Sequence, residues 1–132
     1  MNRVALDTSA YSAFKRGHAE VVEHLRRARE ILLSSVVLGE LWGGFAVGGR
    51  SRQNREDLRL FCESTRVRLV PVGEATAERY ALIYAFVRAE GRPLPTNDLW
   101  IAASAMEHGA ELVTLDGDFT RVAQIMVALY EP

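Results

Sequence analysis

The sequence predicts a three-layer α/β/α domain around a mostly parallel central sheet of four to five strands. Short apolar runs with strand character alternate with segments of helical periodicity along the whole chain, the pattern of a parallel sheet covered by helices on both faces. The 132 residues, 48% of them apolar, suffice for one real core and fit the length of one domain. No repeat, low-complexity tract or long linker divides them, so a single domain is expected over residues 1–132.

Val4-Ala5-Leu6 reads as a short buried strand ending at Asp7, and Thr8 or Ser9 is placed to cap a short helix that Gly17 stops. Val21, Val22, Leu25 and Ala28 recur at helical spacing and predict an amphipathic helix over residues 19–29. Ile31-Leu32-Leu33 is a second strand. Ser34 or Ser35 then caps a helix carrying Val37, Leu38, Glu40, Leu41 and Phe45, which breaks at Gly48-Gly49. Residues 51–65 form an arginine-rich helix with Leu58, Phe61 and Cys62 inward, and residues 67–72 an edge strand. Ala77, Tyr80, Ala81, Tyr84 and Val87 mark another helix, closed by Gly91. Pro93 and Pro95 hold the next stretch extended, because proline biases the residue before it away from the helical region. A helix follows from Asn97 to His108, then a strand over Glu111–Leu115, a short helix after Asp118, and a last strand from Ile125 to Leu129.

Composition narrows the function classes. Cys62 is the only cysteine, which excludes an internal disulfide and any zinc site built on several cysteines. The apolar stretches are too short to span a membrane, and Met1-Asn2-Arg3-Val4 lacks the shape of a signal peptide, so a cytoplasmic location is expected. A net charge of −1 does not advertise nucleic-acid binding by the whole molecule. Arg50, Arg52, Arg55 and Arg59, followed by Arg66 and Arg68, are either a solvated helix face or a track for a phosphate backbone or partner.

Four acids carry the chemistry. Asp7 follows the first strand and Asp116 a later one; in open α/β sheets ligands bind beyond the carboxyl ends of strands, so the two meet if their strands are neighbours. Asp98 opens a helix, where the dipole favours an anion. Glu40 lies one turn into the helix after strand two, at a depth that suits its longer side chain. Each has a plainer reading: Asp7 as a helix cap, Asp98 as an ordinary first-turn charge, Asp116 as a turn former beside Gly117. Glu40 is the odd one, set among Val36, Val37, Leu38, Leu41 and Trp42. If the four converge they must take up protons or bind a cation, and a hard divalent ion is the natural partner for oxygen ligands.

Residues 4–9, Val-Ala-Leu-Asp-Thr-Ser, resemble the opening of PIN-domain nucleases. Residues 34–41, 97–105 and 112–119, which carry Glu40, Asp98 and Asp116, are similar to the later acidic motifs of that family, in the same order across nearly the whole chain. The size resembles VapC-type toxins of toxin–antitoxin pairs. The resemblance implies a PIN-like fold and an endoribonuclease that uses Mg2+, with Mn2+ as a substitute, at Asp7, Glu40, Asp98 and Asp116. It also implies an RNA substrate, a cognate antitoxin and a homodimer. The fourth motif departs in spacing; Asp116 aligns best and Asp118 is the alternative.

On this reading Asp7 and Asp98 are the surest ligands, and Glu40 is a ligand or the group that orients the attacking water. Thr8 and Thr114 are candidates to hold a carboxylate or the scissile phosphate, or are simply a cap and a strand residue. Asn97 is expected to be a cap. Trp42 and Trp100 lie two helical positions past Glu40 and Asp98, roughly 200° around the helix, and so point away from the acids. His18, His24 and His108 lack the spacing of a ligand set, and Leu41, Trp42 and Phe45 are the expected docking groove for an antitoxin. Two rivals remain. Aspartyl-phosphate chemistry lacks its second aspartate, since Ser9 stands there, and its lysine, since Lys15 is misplaced. The other is a catalytically silent RNA-binding or regulatory module with a structural cation.

Overall fold

The computed structural model describes residues 2–132. Five strands, β1 (Arg3–Leu6), β2 (Glu30–Ser34), β3 (Val67–Val70), β4 (Glu111–Thr114) and β5 (Met126–Leu129), form one sheet in the order β3-β2-β1-β4-β5. All four pairings between them are parallel, so the expected mostly parallel sheet is wholly so. The helices are α1 (Thr8–Lys15), α2 (Ala19–Arg27), α3 (Ser35–Val47), α4 (Ser51–Cys62), α5 (Glu74–Ala89) and α6 (Thr96–Glu107), with a 3-10 turn at Gly117–Arg121. They cover both faces of the sheet in a three-layer α/β/α arrangement.

Burial follows strand position. In β1, Val4 and Leu6 are essentially inaccessible, and in β4 Leu112 and Val113 are fully buried, because a central parallel strand is covered on both faces and needs no polar alternation. The edges read differently. In β3 Arg68 and Leu69 are exposed, and in β5 Met126 and Leu129 are exposed. Edge strands with charged or irregular faces resist further pairing.

Local chemistry sets the helix ends. Gly17 and Gly91 adopt φ of 80° and 75°, the left-handed region that only glycine enters freely, and both end a helix where the sequence expects one to end. Ser34 caps α3 by accepting from the Val37 N–H at 3.2 Å. The arginine-rich helix stops at Cys62, three residues short of the expected end. The chain must turn there to bring Arg66 beneath the sheet, where its guanidinium donates to the carbonyls of Leu25 and Ala28 at 2.8 and 2.6 Å. The α1 cap is Asp7 rather than Thr8 or Ser9, for a reason that belongs to the site.

Leu112→Ala should lower the unfolding free energy by about 2–5 kcal/mol in denaturant titration, the cost of a cavity in a close-packed interior. Leu69→Ala on the edge strand, 48% exposed, should cost less than about 1 kcal/mol. Equal losses at the two positions would contradict the packing described.

Candidate active site

The chain leaves β1 toward β2 and β3 but leaves β4 toward β5, and β1 and β4 lie side by side. Neighbouring parallel strands whose connections diverge open a crevice at their carboxyl ends. Asp7 leaves β1 into this crevice and Asp116 follows one residue beyond Thr114–Leu115. Helices α3 and α6, which touch each other, bring Glu40 and Asp98 to the same place. Asp7, Glu40, Asp98 and Asp116 together line one cavity of about 400 Å³, with Thr8, Ser9 and Ile101 completing its wall.

Asp7 is 4% exposed. Its Oδ1 accepts from the Ala10 N–H at 2.8 Å, which makes it the cap of α1. The Ser9 hydroxyl lies 2.8 and 2.9 Å from its two oxygens, and the Thr114 hydroxyl donates to Oδ2 at 2.5 Å. Those hydroxyls are themselves fixed: Ser9 accepts from the Leu115 N–H and Thr114 from the Asp116 N–H. Burial pushes the Asp7 carboxyl above its ordinary value; the donors from Thr114, Ala10 and Ser9 oppose this, and Asp116 adds to it.

Glu40 is half-buried and held at both oxygens. The Thr8 hydroxyl donates to Oε1 at 2.5 Å and the Asn97 amide to Oε2 at 3.1 Å. Asp98, in the first turn of α6, has no side-chain hydrogen bond among the described residues. Burial first, then the charges of Asp116, Glu40, Asp7 and Asp118, push it up to about 6. Asp116 caps the 3-10 turn by accepting from the Asp118 N–H at 2.9 Å. Asp118 itself is exposed and lies outside the cavity wall.

Among the described residues no three acidic, histidine or cysteine side chains form a ready-made ion cage. The oxygens of Asp7, Glu40 and Asp116 accept hydrogen bonds from donors of the chain itself. The donor set nevertheless suits a hard divalent cation. Its charged ligands are all carboxylates, no lysine or arginine side chain lines the cavity, and Asp98 is unfavourably ionised without a counter-charge.

The remaining candidates lie elsewhere. Trp100 packs against Tyr80 with tilted rings, centroids 4.1 Å apart, and Trp42 is 43% exposed with the Arg55 guanidinium 5.2 Å from its ring centroid. Trp42 and Arg55 belong to a larger cleft of about 730 Å³ with Leu38, Leu58 and Cys62, well placed for apolar contact but without the convergent acids. The arginine series does not form a continuous free track: Arg59 is ion-paired with Glu56 and Glu63, and Arg66 is spent on backbone carbonyls. His24 bridges Tyr130 and Glu111 at 2.7 and 2.9 Å, and none of the histidines lines the acidic cavity. Sequence reasoning missed Ser9 and Asn97. Ser9 stands two residues past Asp7 and was readable as more than a cap. Asn97 is not the expected cap, since α6 begins at Thr96; its partner lies 57 positions away, a link no local pattern reveals.

Fold and cavity define an α/β domain with a cation-seeking acidic pocket at the divergence of two central parallel strands. The chain belongs to the PIN domain family, whose family model matches residues 4–125. It is 32% identical over 95 residues to Ribonuclease VapC4 of Mycobacterium tuberculosis, covering 72% of this chain and 73% of that protein. In fold it is similar to VapBC2 from Rickettsia felis bound to a promoter DNA fragment, with a TM-score of 0.87, 23% identity and coverage of 98% and 99% of the two chains. It is likewise similar to VapBC-5 of the toxin–antitoxin family from Mycobacterium tuberculosis, with a TM-score of 0.78, 23% identity and coverage of 98% and 100%.

The raised Asp98 fixes a sign. Its pKa in the folded protein, about 6, lies above the ordinary aspartate value, so the folded form binds the proton more tightly and ionisation costs stability as pH rises through about 6. Without metal, Asp98→Asn should therefore stabilise the protein at pH 7.5. The full shift corresponds to about 3 kcal/mol, and solvent screening at this half-exposed group reduces that to about 1–2 kcal/mol. The gain should vanish by about pH 4 in thermal melts with chelator present. Destabilisation at pH 7.5 would show that the carboxylate is favourably engaged in the metal-free fold.

Proposed function

We propose that this protein is a metal-dependent endoribonuclease acting as the toxin of a toxin–antitoxin pair. The observation that carries the proposal is the convergence of Asp7, Glu40, Asp98 and Asp116, from four separate stretches of sequence, on one cavity at the carboxyl ends of β1 and β4. Membership of the PIN domain family and the 32% identity to a protein named a ribonuclease support the choice of RNA as substrate.

In this reading Asp7, Asp98 and Asp116 hold Mg2+ or Mn2+, with Glu40 beside them. A bound divalent cation supplies charge neutralisation at the scissile phosphate and makes a nearby water more acidic. The residues do the rest. Thr114 and Ser9 fix the orientation of the Asp7 carboxylate at the cavity wall. Glu40, held at Oε1 and Oε2, would accept the proton released as water attacks phosphorus, while the ribose oxygen whose bond to phosphorus breaks takes a proton from solvent. Ile101, 3% exposed, gives the cavity floor an apolar surface that strengthens every charge interaction above it.

An antitoxin would silence such an enzyme most directly by placing an arginine or lysine among the acids, since a guanidinium meets a carboxylate at two points and replaces the cation's charge. The apolar cleft with Trp42 is the surface proposed for the rest of that contact. A homodimer is proposed with it.

Asp7→Asn should reduce metal-dependent RNA cleavage by more than roughly a hundredfold, since loss of groups that only support metal ligands already costs up to that much. Circular dichroism should be unchanged. Calorimetric titration of the wild type with Mn2+ at neutral pH should show binding, and the Asn variant should show little. Metal-dependent cleavage retained by the variant would overturn the assignment. RNA binding without cleavage by the wild type would leave a silent binding module instead.

A further inference from the structure

We infer that Asn97 is a positioning residue for Glu40, and that with Thr8 it forms a two-sided clamp which sets where the Glu40 carboxylate stands in the pocket. The inference rests on the nuclease reading for its catalytic consequence, but the clamp itself is a property of the fold.

Among the four acids Glu40 is the one whose side-chain hydrogen bonds all come from residues distant in sequence. Asp7 accepts from Ala10 and Ser9, and Asp116 from Asp118, all within three residues. Asp98 sits directly in the first turn of its helix. Glu40 instead projects from within α3, on a side chain with three rotatable bonds, and receives its hydrogen bonds from two other elements. The Thr8 hydroxyl, at the start of α1, reaches Oε1 at 2.5 Å; the Asn97 amide, at the start of α6, reaches Oε2 at 3.1 Å. A long acidic side chain free to choose rotamers would turn toward solvent, away from three other carboxylates. Two donors on opposite oxygens remove that choice.

The chemistry of the donors suits the task. Both are neutral, so they fix the carboxylate without cancelling its charge, which a lysine or arginine would do. Each oxygen keeps lone pairs free, so a clamped Glu40 remains able to accept from water or to face a cation. Asn97 also links Glu40 of α3 to the first turn of α6, where Asp98 is the next residue in sequence. A displacement on the order of 1 Å of a reacting group is enough to cost up to a hundredfold in rate.

The test combines a double-mutant cycle with a measurement that needs no activity. In metal-free protein, the side-chain amide resonances of Asn97 in a ¹H–¹⁵N spectrum should move on Glu40→Ala, because the accepting carboxylate is gone. An unmoved Asn97 amide would overturn the clamp, whatever the enzyme does. In cleavage assays Asn97→Ala should lower kcat by about tenfold with KM little changed. Asn97→Ser, which keeps a hydroxyl donor on a shorter arm, should recover part of the loss. In a Glu40→Gln background Asn97→Ala should have no further effect, and Mn2+ affinity should follow the same non-additive pattern. Additive losses would show that Asn97 acts independently of Glu40 and refute the inference. A wild type that neither cleaves RNA nor binds Mn2+ would defeat the nuclease reading alone, and the amide spectrum would still decide the clamp.

Discussion

The side-by-side parallel pairing of β1 and β4 is the constraint on which the rest depends. Val4, Ala5 and Leu6 register against Glu111, Leu112 and Val113, so the strands end together and Asp7 emerges level with the segment that carries Asp116. The Asp7 N–H donates to the Val113 carbonyl at 3.4 Å, and Thr114 reaches the Asp7 carboxylate across the same boundary. A slip of one residue in this register would send Asp7 to the other face of the sheet, because side chains alternate along a strand. The pairing is possible only because α5 and α6 carry the chain from the β3 edge back past two strands. That crossover sets the divergence of connections that opens the crevice.

The pocket gathers charge that the fold would not choose for stability alone. Asp7 is buried among hydroxyl and amide donors, and Asp98 carries its proton up to about 6 because burial and four neighbouring acids make its charge costly. The protein meets that cost with neutral donors rather than with basic side chains. Ser9, Thr114, Thr8 and Asn97 orient the carboxylates while leaving the net negative potential of the cavity intact. Arginines are plentiful in the chain, yet many pair with Glu56, Glu63, Glu23 and Glu30, with Trp42 and Tyr84, or with backbone carbonyls, and none lines the acid cavity. A site built to attract a cation must keep its own cations out, and the placement of arginine follows that rule.

Much of this was legible in the sequence because it rests on short-range signals. The alternation of apolar strands with periodic helices announced the layers, Gly17 and Gly91 announced helix ends, and the position of Asp7 and Asp116 after strands announced their destination. Two features escaped, and one that the sequence left open was settled by tertiary contacts. The end of α4 is set by a tertiary bond from Arg66, so helical periodicity overran it. The cap of α1, open in the sequence among Asp7, Thr8 and Ser9, is Asp7, whose carboxylate accepts from the Ala10 N–H while Ser9 bonds to the same carboxylate. The pairing of Asn97 with Glu40 spans 57 positions and exists only once α3 and α6 have packed.

The two clefts divide the labour that a regulated nuclease requires. The acidic cavity is small, partly apolar at its floor and rich in oriented oxygen, which favours a cation and a phosphate over a large organic ligand. The larger cleft between α3, α4 and β3 is mainly apolar, with Trp42 and Arg55 at its lip, which favours a protein segment. Helix α3 contributes to both: Glu40 on one face enters the acidic cavity while Leu38 and Trp42 enter the other cleft. Two positions apart on a helix point to nearly opposite sides, so one element lines both clefts. The Thr8 and Asn97 contacts fasten this α3 side chain to the starts of α1 and α6, so the carboxylate is held from three elements at once.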